Sequence, residues 1–283
     1  MNPLWWTQIR AVVRLELRKT FFARRGLWIY LLALAPVALF LLKSILDMRF
    51  RAMGRQTISL TQGNYIFAGV FQFFFLRLAI FFGCLGIFMN LFRGEMLDKS
   101  LHFYLLAPVR RDVLLTGKFL AGLLASSVIF TVSAVLQIMG LLWEFNASTV
   151  SQYLYQNHGL SHILTYVGVT VLACIGYGSV FLAAGLLFKN PIIPAAIVVI
   201  WEAVNPILPS VLKKFSVIYY LKSLCPVNIP VDPGMPPLIA LLVSNAEPIS
   251  AYVAVLGLLA LSALVLLASM KQVRRLEINY TTE

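Results

Sequence analysis

Six apolar runs set the terms for this chain: residues 27–46, 71–92, 119–143, 162–188, 192–208 and 251–270. A helix rises about 1.5 Å per residue, so about 20 apolar residues cross the ~30 Å hydrocarbon layer of a bilayer. In that layer no water is present to satisfy backbone N–H and C=O groups, so a run of this kind must pair its backbone internally, as helix. The expected fold is therefore an all-α integral membrane protein with six spans. The rest of the composition agrees: 60% of the residues are hydrophobic and 12% are charged, too little polar surface for a water-soluble globule. Three cysteines, Cys84, Cys174 and Cys225, form no disulfide framework, and the first two sit inside apolar runs as small core residues.

The net charge of +12 invites a nucleic-acid reading, but the basic residues lie in short flanks beside the apolar runs, which is how a membrane protein sets its orientation. With the N-terminus inside, the inner side carries six basic residues before the first run, five in the central loop, Lys189 and three in the tail, fifteen in all. The outer side carries Lys43, Arg49, Arg51, Arg55, Lys213, Lys214 and Lys222, and Arg77 completes the 23. The bias places both termini in the cytoplasm, as an even number of spans requires. The expected location is the plasma membrane of a bacterial cell, with lipid and not nucleic acid as the surrounding partner.

The longest polar interruption in the first half runs from Arg93 to Phe119, with its loop at 94–117. Leu97, Leu101, Tyr104 and Leu105 recur at helical spacing, opposite Glu95, Asp98, Lys99 and His102. Pro108 ends that helix, and a second short amphipathic piece, Arg111 to Lys118, leads into the third run. A helix–break–helix unit outside the hydrocarbon has two readings. It is a basic loop that only fixes topology, or it is an amphipathic helix that docks into a groove on a soluble partner.

Residues 4–22 also alternate in helical register. Arg10, Arg14 and Arg18 form one stripe, and Ile9, Val13, Leu17 and Phe21 form its neighbour, so this segment is expected to lie in the inner membrane surface. Residues 209–250 form an insertion with a short helix near 211–224 and five prolines between Cys225 and Pro237. It is expected to be an outer re-entrant segment or a plain outer loop. Arg77, Glu202 and Asn205 are polar residues within or at the edge of the spans. Arg77 and Glu202 fall at similar depth in the outer half, where they either snorkel separately or share a polar cluster with Asn205 at an outer gate.

The opening IRAVVRLELRK and the central RGEMLDKSLHFYLLAPVRRDVLLTGKF resemble the permease subunit of the type-2 ABC exporter family. The resemblance covers the architecture of nearly the whole chain. It implies an N-terminal connecting helix, a coupling helix between spans two and three, and outer re-entrant helices before span six. In the central stretch Glu95, Leu101, Leu105, Pro108, Val109, Arg110, Gly117 and Lys118 fill the family's pattern of an acid, an apolar helix, a proline, a basic pair and a Gly-Lys. The strongly basic first outer loop is a departure from that pattern. By this resemblance Glu95, Leu101, Leu105, Pro108, Arg110 and Lys118 dock a separate ATPase subunit, which holds ATP and Mg. This chain is then a non-catalytic subunit that binds no cofactor or metal itself and works beside a second permease copy. The sequence has no G-x-x-x-x-G-K-[ST], and Gly117-Lys118 lacks the upstream glycine and the following hydroxyl. The oily, aromatic spans suit a hydrophobic or amphipathic cargo.

Two other classes stay open on the sequence. One is an ion-gradient-driven secondary transporter or channel using Arg77 and Glu202. The other is an intramembrane enzyme using histidines. His158 and His162 are four apart, as in a metal clamp, but have no Glu between them, and read better as interfacial polar residues. Gly176-Tyr177-Gly178-Ser179 reads better as a small-residue packing face than as a nucleophile turn.

Overall fold

Side chains that are apolar on every face gain nothing by turning one face to water, and the apolar runs accordingly fold as helices whose outer residues remain Leu, Ile, Val and Phe. The chain is described in a computed structural model over residues 3–22, 26–54, 58–97, 110–188, 190–229 and 249–274. The order is α1 (Pro3–Phe22), α2 (Leu27–Ala52), α3 (Leu60–Gly69), a π-helical stretch (Val70–Ile80), α4 (Phe81–Leu97), α5 (Arg111–Leu142), α6 (Ala147–Gln156) and α7 (Gly159–Leu187). Then follow α8 (Ile192–Val204), a 3-10 turn (Asn205–Ile207), α9 (Ser210–Lys213), α10 (Val217–Leu224) and α11 (Ala251–Arg274). The described residues contain no strand. Five helices are long and apolar enough to cross a bilayer: Leu27–Ala52, Leu60–Met96, Arg111–Leu142, Gly159–Leu187 and Ala251–Arg274. The chain is a multi-pass, all-helical membrane protein.

The boundaries differ from the sequence reading in instructive places. The run at 192–208 yields a helix of only 13 residues, closed by the 3-10 turn. At about 1.5 Å per residue that is ~20 Å, short of the hydrocarbon thickness, so length alone does not make it a sixth span. Pro206 is the cause: it has no N–H to donate and its ring crowds the carbonyl four residues back, that of Glu202. The second span starts eleven residues earlier than residue 71. Ser59 opens α3 with a capping box, its hydroxyl accepting from the Gln62 amide at 3.3 Å while the Gln62 side chain accepts from the Ser59 amide at 3.1 Å. The helix then runs unbroken to α4 through the π-helical stretch that carries Arg77. The short piece Arg111 to Lys118 and the third run are one helix of 32 residues.

Helix α7 is the hub, packed against α4, α5 and α11. The core around it is aromatic. Phe67, Phe71 and Phe75 form a ladder along one rod, and the Tyr166 ring meets Phe67 and Phe71 edge-on at 4.9 and 4.7 Å. Lower down, Phe81 meets Tyr177 and Phe181 edge-on at 5.3 and 4.9 Å. Edge-to-face contacts give these rings a preferred geometry as well as bulk. The side-chain hydroxyls of Ser44 and Ser133 donate to the carbonyls of Gly140 and Ala33, lacing α2 to α5. At the far end of α5, Lys43 bridges Glu144 at 2.6 Å and Asp47 at 2.8 Å, and Arg51 donates to the Glu144 carbonyl at 2.7 Å. Burial, then the neighbouring Asp47, raises the Glu144 carboxyl above its ordinary range even though Lys43 opposes the shift. All three cysteines are free and buried.

Packing and lipid exposure should separate in mutants of the π-helical stretch. Phe71 is fully buried, whereas Phe73 is 40% exposed on the outer face. Phe71→Ala should cost about 3–5 kcal/mol by opening a cavity. Phe73→Ala should cost much less, because lipid is as apolar as the core. Thermal unfolding of the two variants in the same detergent is the measurement.

Candidate functional site

Lys118 is the least expected side chain in the fold. It lies two turns into α5, fully buried, where a lone ammonium would be strongly disfavoured. Three acceptors surround it: Glu16 Oε1 of α1 at 2.7 Å, Glu95 Oε2 of α4 at 2.8 Å and the Leu91 carbonyl at 2.7 Å. The Phe92 ring lies 5.3 Å away, presenting its face. Lys19 closes the group from the surface, 3.1 Å from Glu95 and 3.9 Å from Glu16, with half of its side chain exposed. Two carboxylates and two ammoniums thus form a neutral cluster that ties together α1, α4 and α5. Burial is the largest influence on Glu16 and holds its carboxyl above the ordinary range against the pull of Lys118.

The sequence dictates this geometry locally. Gly117 leaves room for α1, since a Cβ there would lie 2.9 Å from Val12 Cγ1. With that space open, Ile9, Val12 and Glu16, spaced three and four apart, turn inward along α5. Arg10, Arg14 and Arg18 stay exposed, as the stripe predicted. The apolar face of α1 is thus covered at least partly by protein, and its inward stripe is 9-12-16, displaced from the expected 9-13-17-21. Glu16 escaped the sequence reading. Its signal was available: it is the only acid in the first 46 residues, amid seven basic ones.

The neighbouring polar residues fasten the same end of the bundle. Arg110 is exposed and lies over the Trp5 ring at 5.0 Å. Arg111 donates to the Arg274 carbonyl at 2.7 Å, and Arg274 grips Asp112 through two contacts of 2.9 Å, joining the foot of α11 to the first turn of α5. Of the expected docking residues, Glu95 and Lys118 are brought together and turned inward, away from any surface a partner could touch. Arg110 faces out. Leu101, Leu105 and Pro108 lie outside the described residues, as does the amphipathic helix they were expected to form.

Arg77, Glu202 and Asn205 gather at a second polar site. Glu202 is 6% exposed and receives backbone N–H groups from Val217 and Ile218, each at 3.1 Å, and the Tyr177 hydroxyl at 3.3 Å. It therefore acts as the cap of α10, satisfying amides at that helix's N-terminus, where negative charge is favoured. Arg77 lies within electrostatic reach of Glu202 and Tyr177. Asn205 donates to the Lys213 carbonyl at 3.2 Å. Arg77 and Glu202 thus share one neighbourhood, and Glu202 and Asn205 are both committed to the segment that follows α8. That segment is helical at Val217–Leu224, and residues 230–248 lie outside the described residues.

The remaining motifs lie at the start of α7 and within it. His158 precedes α7 in a left-handed conformation, and no group of three or more His, Cys, Asp or Glu residues suited to a metal occurs among the described residues. Ser179 donates to the Gly176 carbonyl at 2.8 Å, and Gly178 faces the Phe88 ring, so this stretch serves helix packing. Compared with known protein families and with curated proteins, the chain finds no match.

Two predictions arise from these sites. Lys118→Met leaves two buried carboxylates with only the half-exposed Lys19 to answer them and should cost about 3–5 kcal/mol, whereas Glu16→Gln leaves the buried Lys118 still paired with Glu95 and should cost far less. Because the Glu16 carboxyl is raised in the fold, the folded state takes up its proton first, and stability should increase as pH falls from neutral toward the ordinary carboxylate range. That increment should vanish in Glu16→Gln, as thermal unfolding across pH will show. For the second site, Arg77→Met, Glu202→Gln and the double variant should show a coupling of about 0.5–3 kcal/mol in a thermal-stability cycle, with strict additivity excluding the pair.

Proposed function

We propose that this chain is the membrane subunit of an ATP-driven exporter of the type-2 ABC kind, moving a hydrophobic or amphipathic cargo. ATP and Mg belong to a separate ATPase subunit, and a second permease copy completes the pathway. In this reading α1 is the connecting helix and residues 98–109 hold the coupling helix. Both termini are cytoplasmic, the short α8 completes a sixth crossing together with the segment after it, and residues 209–250 form the outer re-entrant segment.

The observation that carries the reading is the Lys118 cluster. Residues 98–109, outside the described residues, connect Leu97 at the end of α4 to Arg110 ahead of α5. Glu95 is held by Lys118 and Lys19, Arg110 lies on Trp5, and Arg111 and Asp112 are held by the end of α11. Force applied to that stretch therefore meets α1, α4, α5 and α11 as one body. This suits a device that converts closure of ATPase subunits into rigid-body rocking. A loop that served only to orient the chain would not require its two ends to be tied through a buried ion cluster. The ion-gradient reading fits less well, because Glu202, its principal carboxylate, is already satisfied by two backbone amides and a tyrosine hydroxyl.

The decisive experiment isolates the complex from native membranes and measures ATP hydrolysis and its associated subunit. An ATPase bearing G-x-x-x-x-G-K-[ST] should accompany the wild-type chain. Leu101→Asp should place an unpaired charge in the docking groove, costing a few kcal/mol. Association and transport should fall while membrane insertion is unchanged. Full association by Leu101→Asp would return residues 98–109 to a purely orienting role.

A further inference from the structure

At the end of the bundle opposite α1, the start of α3, the end of α5, α6 and the first turns of α7 surround a partly open cavity. Its polar lining is Asn64, Tyr153, His162 and Tyr166, and Phe67 and Leu141 are among its apolar walls. Two of the polar groups are unsatisfied. The Tyr166 hydroxyl is buried on a residue only 3% exposed and has no hydrogen-bond partner, and the same holds for the buried Nδ1 atom of His162. Buried hydroxyl and imidazole groups are normally paired, and an exception calls for a partner that comes and goes. Tyr166 cannot readily swing away to find one, because its ring is wedged edge-on against Phe67 and Phe71. The other two groups answer each other: Tyr153 is hydrogen-bonded to Asn64.

The turn beside the cavity carries a cost of its own. His158 has φ 57°, the one left-handed non-glycine among the described residues. Gly159 follows it, where a Cβ would sit 2.7 Å from the Tyr153 ring. Backbone strain of this sort persists where the surroundings enforce it, and binding sites are a common reason. Here it presses Tyr153 of α6 onto the first turn of α7, next to His162.

We propose that this cavity binds the hydroxyl end of a small, uncharged amphiphile. A hydroxyl can donate to an imidazole nitrogen while accepting from a tyrosine, so one group answers both open atoms. Among the described residues no Lys, Arg, Asp or Glu lines the cavity, so they offer a charged headgroup no counter-charge. The deepest space takes about one water-sized group. Toward the mouth this space opens outward between walls that are mostly apolar. A hydroxyl inside and a hydrocarbon body toward the mouth match that shape. The inference does not depend on the transporter reading. The competing occupant is one ordered water.

Phenol is the probe and toluene its control, since the two share a ring and only phenol has the hydroxyl. The chain has three histidines, so the full-length protein labelled with 15N-histidine in lipid nanodiscs gives a short imidazole spectrum, in which His162→Gln identifies the His162 signal. Phenol should shift that signal saturably and toluene should not. Tyr166→Phe, which keeps the ring and removes the unpaired hydroxyl, should weaken phenol binding about tenfold without lowering thermal stability. A phenol response that never saturates, an equal response to toluene, or unchanged affinity in Tyr166→Phe would assign the cavity to an ordered water and overturn the proposal. The phenol–toluene comparison on the wild-type chain decides the matter even if the variant fails to fold.

Discussion

A fully buried ammonium has to be answered on every side, and one end of this protein is arranged to answer Lys118. Its three protons meet Glu16, Glu95 and the Leu91 carbonyl, and an aromatic face covers part of what remains. The attraction between these charges is strong at low dielectric, but so is the cost of removing them from water, so the net gain in stability is small. What the cluster provides is geometry. Glu16 fixes the rotation of α1, Glu95 fixes the foot of α4, and neither helix can turn without stranding a charge.

The same logic recurs wherever polar groups enter the bundle. Inside a membrane, helices gain no hydrophobic attraction for one another, since lipid competes equally for their apolar faces. Shape and hydrogen bonds must then decide the packing. The phenylalanine and tyrosine rings along Leu60–Met96 and α7 supply the shape. Hydrogen bonds supply the registers: Ser44 and Ser133 between α2 and α5, and Glu202 between α8 and α10. Each polar tie joins elements distant in sequence, and each would leave an unsatisfied group if the pair separated. The bundle thus has few polar contacts and most of them are structural commitments.

The two ends of the bundle differ in how these commitments are closed. Around Lys118 every charge has a partner, and the neighbouring Asp112–Arg274 pair adds a second clasp. At the opposite end Lys43 must serve both Asp47 and Glu144, and the Tyr166 hydroxyl and His162 Nδ1 are left open. One end is closed on itself, and the other leaves two polar groups open.

Hydrophobic length by itself determined that the chain is helical and membrane-embedded, because continuous apolar runs of about 20 residues span a bilayer as helices, whereas barrel strands are shorter and alternate in hydropathy. It also located five of the crossing helices, while helical spacing gave the exposed arginine stripe of α1, and depth alone left open whether Arg77 and Glu202 share a neighbourhood. The run at 192–208 forms a helix of 13 residues closed by a 3-10 turn, because Pro206 has no N–H to donate and its ring ends the helix. Hydrophobic length placed the start of the second span too late, because the polar Ser59–Gln62 capping box looks like loop until its reciprocal hydrogen bonds are seen. Only the tertiary structure decided that Glu95 and Lys118 face each other and not a partner. The cause is Glu16, 102 residues from Lys118 along the chain, whose pairing depends on Gly117 letting α1 approach. Spacing along one helix reports which residues share a face. Which face is buried depends on what another helix brings to it, and that information is not local.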